Sequence, residues 1–312
     1  MINIDGRPVR VIDSHTHIWN EYKGMRLGYI QEENLGYGKI RHEGKVEKLL
    51  PPSFIDNQVP AEVLIGYMDD AGIDQSFILQ NPCYGDQRAY VKSILEKYPE
   101  RFIGACGKID PRDVDALPAE MDSLVSQYGC CGYKIEVPDV PFWMDDDEHD
   151  FMWKKIADED RLVVIDLGWG TTPYDFNIDR LENVLRKYPN IRMWVPHLGV
   201  SRLWDTEQKY PYPELQKFLK LFKLNKNLYT DNSAMPAYIE EQYPEPRNVE
   251  IFKTVYETIG SERILWGTDF PTLLKYRTME QMLSFATSCC DFLTFEDKEN
   301  ILSKNILRLL RK

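Results

Sequence analysis

Eight short runs rich in β-branched and apolar residues recur along the 312 residues of this chain, and a longer stretch of helical period separates each from the next. The runs cover residues 9–14, 75–80, 102–109, 132–136, 162–167, 191–196, 228–231 and 263–267. The helical stretches fall at 62–71, 88–98, 117–128, 151–160, 178–188, 212–222 and 249–259, with more helix after Thr278. Two of them stop alike, at Lys97-Tyr98-Pro99 and Lys187-Tyr188-Pro189, where proline ends a helix just ahead of a strand. Strand and helix in strict alternation are the grammar of parallel βαβ units. An open doubly wound sheet shares that grammar, but needs neither eight strands nor a polar residue at the end of nearly every one. In this chain the ends carry His15 and His17, Asn81, Asp110, Lys134 and Glu136, Asp166, His197, Asp231 and Asp269. A (β/α)8 barrel gathers the carboxyl ends of its strands on one face, so residues far apart in sequence would line one pocket. The chain is therefore expected to be an α/β protein: a single TIM-barrel domain over residues 1–312, with a long loop insertion after strand 1 and C-terminal helices.

That loop, residues 19–60, exceeds ordinary connections and reads as a lid or substrate loop. It holds Trp19, Tyr22, Tyr29, Tyr37 and Phe54 beside Arg26, Arg41 and Lys45. Such aromatics either pack the loop or roof a pocket, and Trp19 is the candidate for substrate contact. An acidic insert, 139–150, follows the fourth strand. Charge narrows the partners: 38 Lys and Arg against 50 Asp and Glu give a formal net charge of -12, a field that repels phosphate backbones and anionic membranes. Neither nucleic acid nor membrane is expected as a partner. No stretch approaches the roughly 20 apolar residues of a membrane span, and charges interrupt the N-terminal segment where a signal peptide is apolar, so a cytoplasmic location is expected. The six cysteines show no C-x-x-C spacing and read as reduced thiols; no G-x-G-x-x-G or nucleophile elbow follows a strand.

Chemistry concentrates in Asp13-Ser14-His15-Thr16-His17 at the end of the first strand. Side chains at i and i+2 of an extended chain share a face, so both imidazoles reach one ion. A lone H-x-H is a weak signal, but the chain has only five histidines, His15, His17, His42, His149 and His197, and three of them sit at strand ends. His197 lies in Val195-Pro196-His197-Leu198-Gly199, and Asp269 in Leu265-Trp266-Gly267-Thr268-Asp269-Phe270-Pro271. His42 and His149 lie in polar inserts and read as solvated. Together with Tyr67-Met68-Asp69-Asp70-Ala71-Gly72-Ile73-Asp74 and Gly132-Tyr133-Lys134-Ile135-Glu136, these motifs resemble the amidohydrolase superfamily over nearly the whole chain. The match is to the branch of aminocarboxymuconate-semialdehyde decarboxylase and γ-resorcylate decarboxylase.

The resemblance implies His15 and His17 as metal ligands, Asp269 as ligand and proton-handling carboxylate, and His197 as the catalytic imidazole. It implies one divalent ion, zinc or manganese. The fifth strand departs from the pattern, because Asp166 stands where such enzymes place a further histidine ligand. Asp166 either completes a His2Asp2 site or is a hydrogen-bonded structural carboxylate. Asp269 alternatively caps the turn that follows it. Lys134 and Glu136 share a face; they pair with each other or bind substrate, with Arg26, Arg41, Arg88 and Arg202 as further anion candidates. A carboxylated Lys134 bridging two metals is the binuclear alternative. The expected activity is non-oxidative decarboxylation of an aromatic or unsaturated carboxylic acid, a small-molecule carboxylate being the partner. Hydrolysis of a lactone or amide, with or without a metal, uses the same residues. A barrel that has lost its metal and only binds is the remaining reading. Relatives in this branch are often homodimers, so a dimer is expected.

Overall fold

The computed structural model describes residues 1–26, 30–168, 170, 172–200 and 209–312. The candidates Tyr29 and Arg202 lie outside the described residues, as does the side chain of Arg26. All eight expected runs are strands: β1 Ile12–Thr16, β2 Gln75–Leu79, β3 Phe102–Lys108, β4 Gly132–Glu136, β5 Leu162–Asp166, β6 Arg192–Val195, β7 Leu228–Asp231 and β8 Ile264–Leu265. They hydrogen-bond to one another in chain order. Every pairing is parallel, with Ile12 beside Gln75, Cys106 beside Gly132, Glu136 beside Asp166, and Asp231 beside Leu265. The first and last strands then meet, where Trp266 O accepts from Ser14 N at 3.1 Å, His15 O from Asp269 N at 2.9 Å and Phe270 O from His17 N at 2.8 Å. Gly267 permits this approach, because a Cβ there would lie 2.7 Å from His15 Cβ. Asp13 locks the same seam by accepting from Thr268 N at 2.9 Å and Thr268 Oγ1 at 2.6 Å. The sheet is a TIM barrel.

Among the described residues a helix of eight residues or more follows each of the first seven strands: α1 Ala61–Ala71, α2 Arg88–Lys97, α3 Leu117–Ser126, α4 Asp150–Asp158, α5 Ile178–Lys187, α6 Pro213–Lys220 and α7 Pro246–Ile259. Each lays an apolar stripe on the barrel; α5 buries Ile178, Leu181, Val184 and Leu185 and turns its charges outward. Inside the barrel a second core stacks Ile12, Phe77, Leu79, Val164, Trp194 and Leu265. Ile306 and Leu309 of the C-terminal helix Asn305–Leu310 close it from below. The floor is therefore packed, and only the carboxyl-end face is left open for chemistry.

Two regions hold more strand than expected. Ile2–Ile4 and Arg7–Val9 form an antiparallel hairpin, so the first barrel strand begins at Ile12. Its turn, Asp5-Gly6 with φ of 52° and 78°, is the left-handed pair a two-residue hairpin demands. The long loop is largely sheet: Met25–Arg26 pairs with Ile30–Gln31, and Glu33–Gly36, Lys39–His42 and Lys45–Lys48 form a three-stranded antiparallel sheet across the barrel mouth. Asn57 ties that sheet down, donating to Lys39 O at 2.8 Å and accepting from Gly38 N at 2.7 Å. All six cysteines are free thiols. Among the described residues no helix is long and apolar enough to cross a membrane.

Candidate metal and acid-base site

β1 carries His15 and His17 to the mouth, and the turn after β8 brings Asp269 to meet them. Asp269 Oδ1 lies 3.6 Å from His15 Nε2 and 3.1 Å from His17 Nε2. These three residues offer ligand atoms that all lie within 4.8 Å of one another. The opposite ring nitrogens are fixed by acceptors, with His17 Nδ1 2.7 Å from Leu79 O and His15 Nδ1 3.1 Å from Asp231 Oδ2. A proton therefore sits on each Nδ1, and both Nε2 atoms are turned toward the Asp269 carboxylate. That donor set fits a divalent ion. Burial lowers the pKa of His15 to about 4, which keeps the ring neutral, as a ligand must be.

The second half of the site is His197, on the turn after β6. Its Nε2 lies 3.1 Å from Asp166 Oδ2, and its Nδ1 lies 3.1 Å from Ser233 O. Both neighbours accept, so both nitrogens carry protons. Burial opposes that charge, but the Asp166 carboxylate outweighs it and the pKa rises to about 9. The backbone is strained at both halves: His197, Leu198 and Asp269 have φ of 59°, 54° and 53°, a region that residues with a Cβ seldom enter.

Asp166 stands apart from this cluster. Among the described residues the groupings able to hold an ion are His15, His17 and Asp269, and His15, His197 and Asp231, and Asp166 is in neither. Its side chain is taken up by His197 and by Gly168 N, 2.9 Å away. The second grouping is a filled network, because Ser233 Oγ sits at its centre, 3.0 Å from His15 Nδ1 and 2.9 Å from His197 Nδ1, and donates its hydrogen bond to Asp231 Oδ1. Lys134 Nζ lies 2.7 Å from Glu136 Oε2 and 3.9 Å from Asp166 Oδ2. Burial works against the ammonium, yet these carboxylates raise its pKa above the usual lysine value, so Lys134 is a fixed positive charge on the pocket floor. Glu136 also accepts from Asn81 Nδ2 at 2.9 Å.

Trp19 does not reach the pocket. It is fully buried, its indole N–H goes to Asn57 O at 2.6 Å, and its ring stacks 3.9 Å behind Tyr84, which takes the place on the wall. The two arginine candidates whose side chains are described are occupied elsewhere, Arg41 by Glu33 and Arg88 by Asp86 and Glu120. The described cations that line the pocket are Lys48, Lys134 and Lys275. His149 is buried, edge-on to Phe142 at 5.0 Å, and is not the solvated residue its polar insert suggested. His42 is half-buried, 3.5 Å from Glu32. Sequence reading missed Tyr84, Tyr238 and Ser233. Only Ser233 left a signal, standing two residues past Asp231 as His17 stands two past His15. The pocket that Tyr84 and Tyr238 line with His15, His17, His197 and Asp269 is about 240 Å3, and Ile40 of the covering sheet and Leu49 just after it also line it.

Fold and cluster together define the class: a barrel enzyme with an ion-ready pocket at the carboxyl ends of its strands. Residues 12–312 match the amidohydrolase family, and the chain belongs to it as an enzyme of that kind. The fold is similar to a zinc-bound amidohydrolase of Burkholderia multivorans, with TM-score 0.74 at 13% identity over 97% of this chain and 99% of that one. A probable 2-pyrone-4,6-dicarboxylic acid hydrolase of Acinetobacter baumannii aligns with TM-score 0.69 and 16% identity, covering 97% of this chain and 100% of that one. The 5-carboxyvanillate decarboxylase of Sphingomonas paucimobilis aligns with TM-score 0.66 and 13% identity, covering 97% and 99%.

Proposed function

We propose that this enzyme decarboxylates an aromatic or unsaturated carboxylic acid without an oxidant. The observation that carries the reading is His197, held between Asp166 Oδ2 and Ser233 O so that it rests protonated. Non-oxidative decarboxylation starts by placing a proton on the carbon that bears the carboxylate, so its acid must be protonated before substrate arrives. Hydrolysis starts instead with a base. His15, His17 and Asp269 would hold a divalent ion, zinc or manganese, which when bound supplies a Lewis acid for the substrate carboxylate and a neighbouring oxygen. Lys134 adds positive charge on the same floor. Tyr84 stands 5.3 Å from the His17 ring and Tyr238 5.3 Å from the His197 ring, two aromatic walls suited to a planar acid. His197 gives its Nε2 proton to the substrate carbon while Asp166 stays ionised beside it. The C–C bonding pair then returns to the ring and CO2 departs.

The similarity to a carboxyvanillate decarboxylase supports this reading, and the similarity to a pyrone hydrolase keeps a second one in play. Lactone hydrolysis is favoured by Asp269 Oδ1, which sits between two imidazoles where a general base for water would stand. The test is zinc- and manganese-loaded enzyme assayed in D2O against hydroxybenzoates, muconate-type acids and lactones. Release of CO2 with one solvent deuteron at the vacated carbon supports decarboxylation. Ring opening without CO2 overturns it in favour of hydrolysis.

A further inference from the structure

Asp231 ends β7, fully buried, and its carboxylate accepts five hydrogen bonds. Oδ2 takes His15 Nδ1 at 3.1 Å and Trp194 Nε1 at 2.7 Å. Oδ1 takes the backbone N–H of His197 at 3.0 Å, that of Ser233 at 2.9 Å and the Ser233 hydroxyl. Because a carboxylate only accepts, every proton in this network points at Asp231. The Ser233 hydroxyl spends its single proton there, so its oxygen faces His15 Nδ1 and His197 Nδ1 as an acceptor. Two consequences follow for the site. His15 keeps its proton on Nδ1 and turns the Nε2 lone pair toward His17 and Asp269. The left-handed turn that carries His197 is held by its own N–H, anchored to the same carboxylate.

We infer that Asp231 is a positioning residue that sets both halves of the site at once, touching neither ion nor substrate. It fixes which nitrogen of His15 is free to bind and where His197 stands. The inference rests on the metal reading for its affinity measurement alone. Asparagine has nearly the same shape but offers one accepting oxygen and one donating NH2, so it must turn a donor toward either His15 and Trp194 or His197 and Ser233.

The experiment uses the full chain labelled with 15N-histidine, stripped of metal with chelator, with zinc as the probe ion. Histidine tautomers are read by NMR at neutral pH, and zinc affinity by competition with a chromophoric chelator. Wild type is expected to show His15 protonated on Nδ1. Asp231→Asn is expected to shift His15 toward the other tautomer and to weaken zinc binding by roughly 10- to 100-fold. Ser233→Ala deletes a donor to the same carboxylate but leaves His15 its acceptor, and is expected to hold the tautomer and to keep zinc affinity within about threefold. An Asp231→Asn protein with an unchanged tautomer and affinity overturns the proposal, as does a Ser233→Ala protein equally impaired. Should Asp231→Asn fail to fold, wild type still decides: a His15 protonated on Nε2 ends the idea. A wild type that binds no zinc removes the metal reading, and the tautomer of His15 still tests Asp231.

Discussion

An aspartate at position 166 changes what the neighbouring imidazole is. With its carboxylate 3.1 Å from Nε2, His197 has a pKa of about 9 against an ordinary 6.5. A reaction that needs protonated His197 holds its rate at neutral pH and loses it as pH rises through about 9. Asp166→Asn removes the nearest opposing charge and leaves only the weaker pull of Asp231 and Asp269 against burial, so the falling limb of kcat/KM is expected to move down toward pH 6.5. The same pair contributes to folding, since a raised histidine pKa stabilises fully below the unfolded value and stops doing so above the folded one. Urea midpoints measured from pH 6 to 10 are expected to fall between about pH 6.5 and 9 and to level off above, and Asp166→Asn to flatten the decline. Zinc affinity separates the roles further: His17→Ala is expected to weaken it by more than about 100-fold and Asp166→Ala by less than about threefold. The H-x-H spacing was legible in the sequence because i, i+2 geometry is local, and Asp269 because it stands in a strand-end motif that carries the family resemblance. The partnership of Asp166 with His197 was not, because it joins side chains of adjacent strands across 31 residues.

The barrel strands could be read because they are buried on both faces, which leaves continuous apolar runs such as Phe77-Ile78-Leu79 and Leu162-Val163-Val164-Ile165. The covering sheet could not, since its strands of four residues alternate charged with apolar side chains and bury little beyond Ile40. Its trace in sequence is the pair of turns Tyr37-Gly38 and Glu43-Gly44, both left-handed. Gly38 is the stringent position, because a Cβ there would meet Leu50 O at 2.1 Å in addition to adopting φ of 74°. Gly38→Ala is expected to loosen this sheet while the barrel stays folded, seen as faster proteolysis within residues 33–57 and a higher KM with little change in far-UV circular dichroism. Trp19 acts at the same level. Its stack supports Tyr84 from behind, so Trp19→Ala is expected to cost about 3 to 5 kcal/mol of stability and to raise KM for planar acids without any direct contact to them.

At the scale of the whole molecule, an ion at His15, His17 and Asp269 would pin the first barrel strand to the turn after the last. Binding there stabilises the folded state by mass action, about 4 kcal/mol at a thousandfold excess over Kd. Chelator treatment is therefore expected to lower Tm by on the order of 5 °C or more, with recovery on adding zinc; an unchanged Tm would count against a bound ion. His17 and Asp269 are 252 residues apart in the chain. At roughly 5–20 residues per second, translation delivers the two histidines about 10 to 50 s before the carboxylate that completes the cluster. A nascent chain would thus be a poor competitor for scarce metal until Asp269 has been made, and ion capture would become a checkpoint granted only to chains whose first barrel strand has already met the turn after the last.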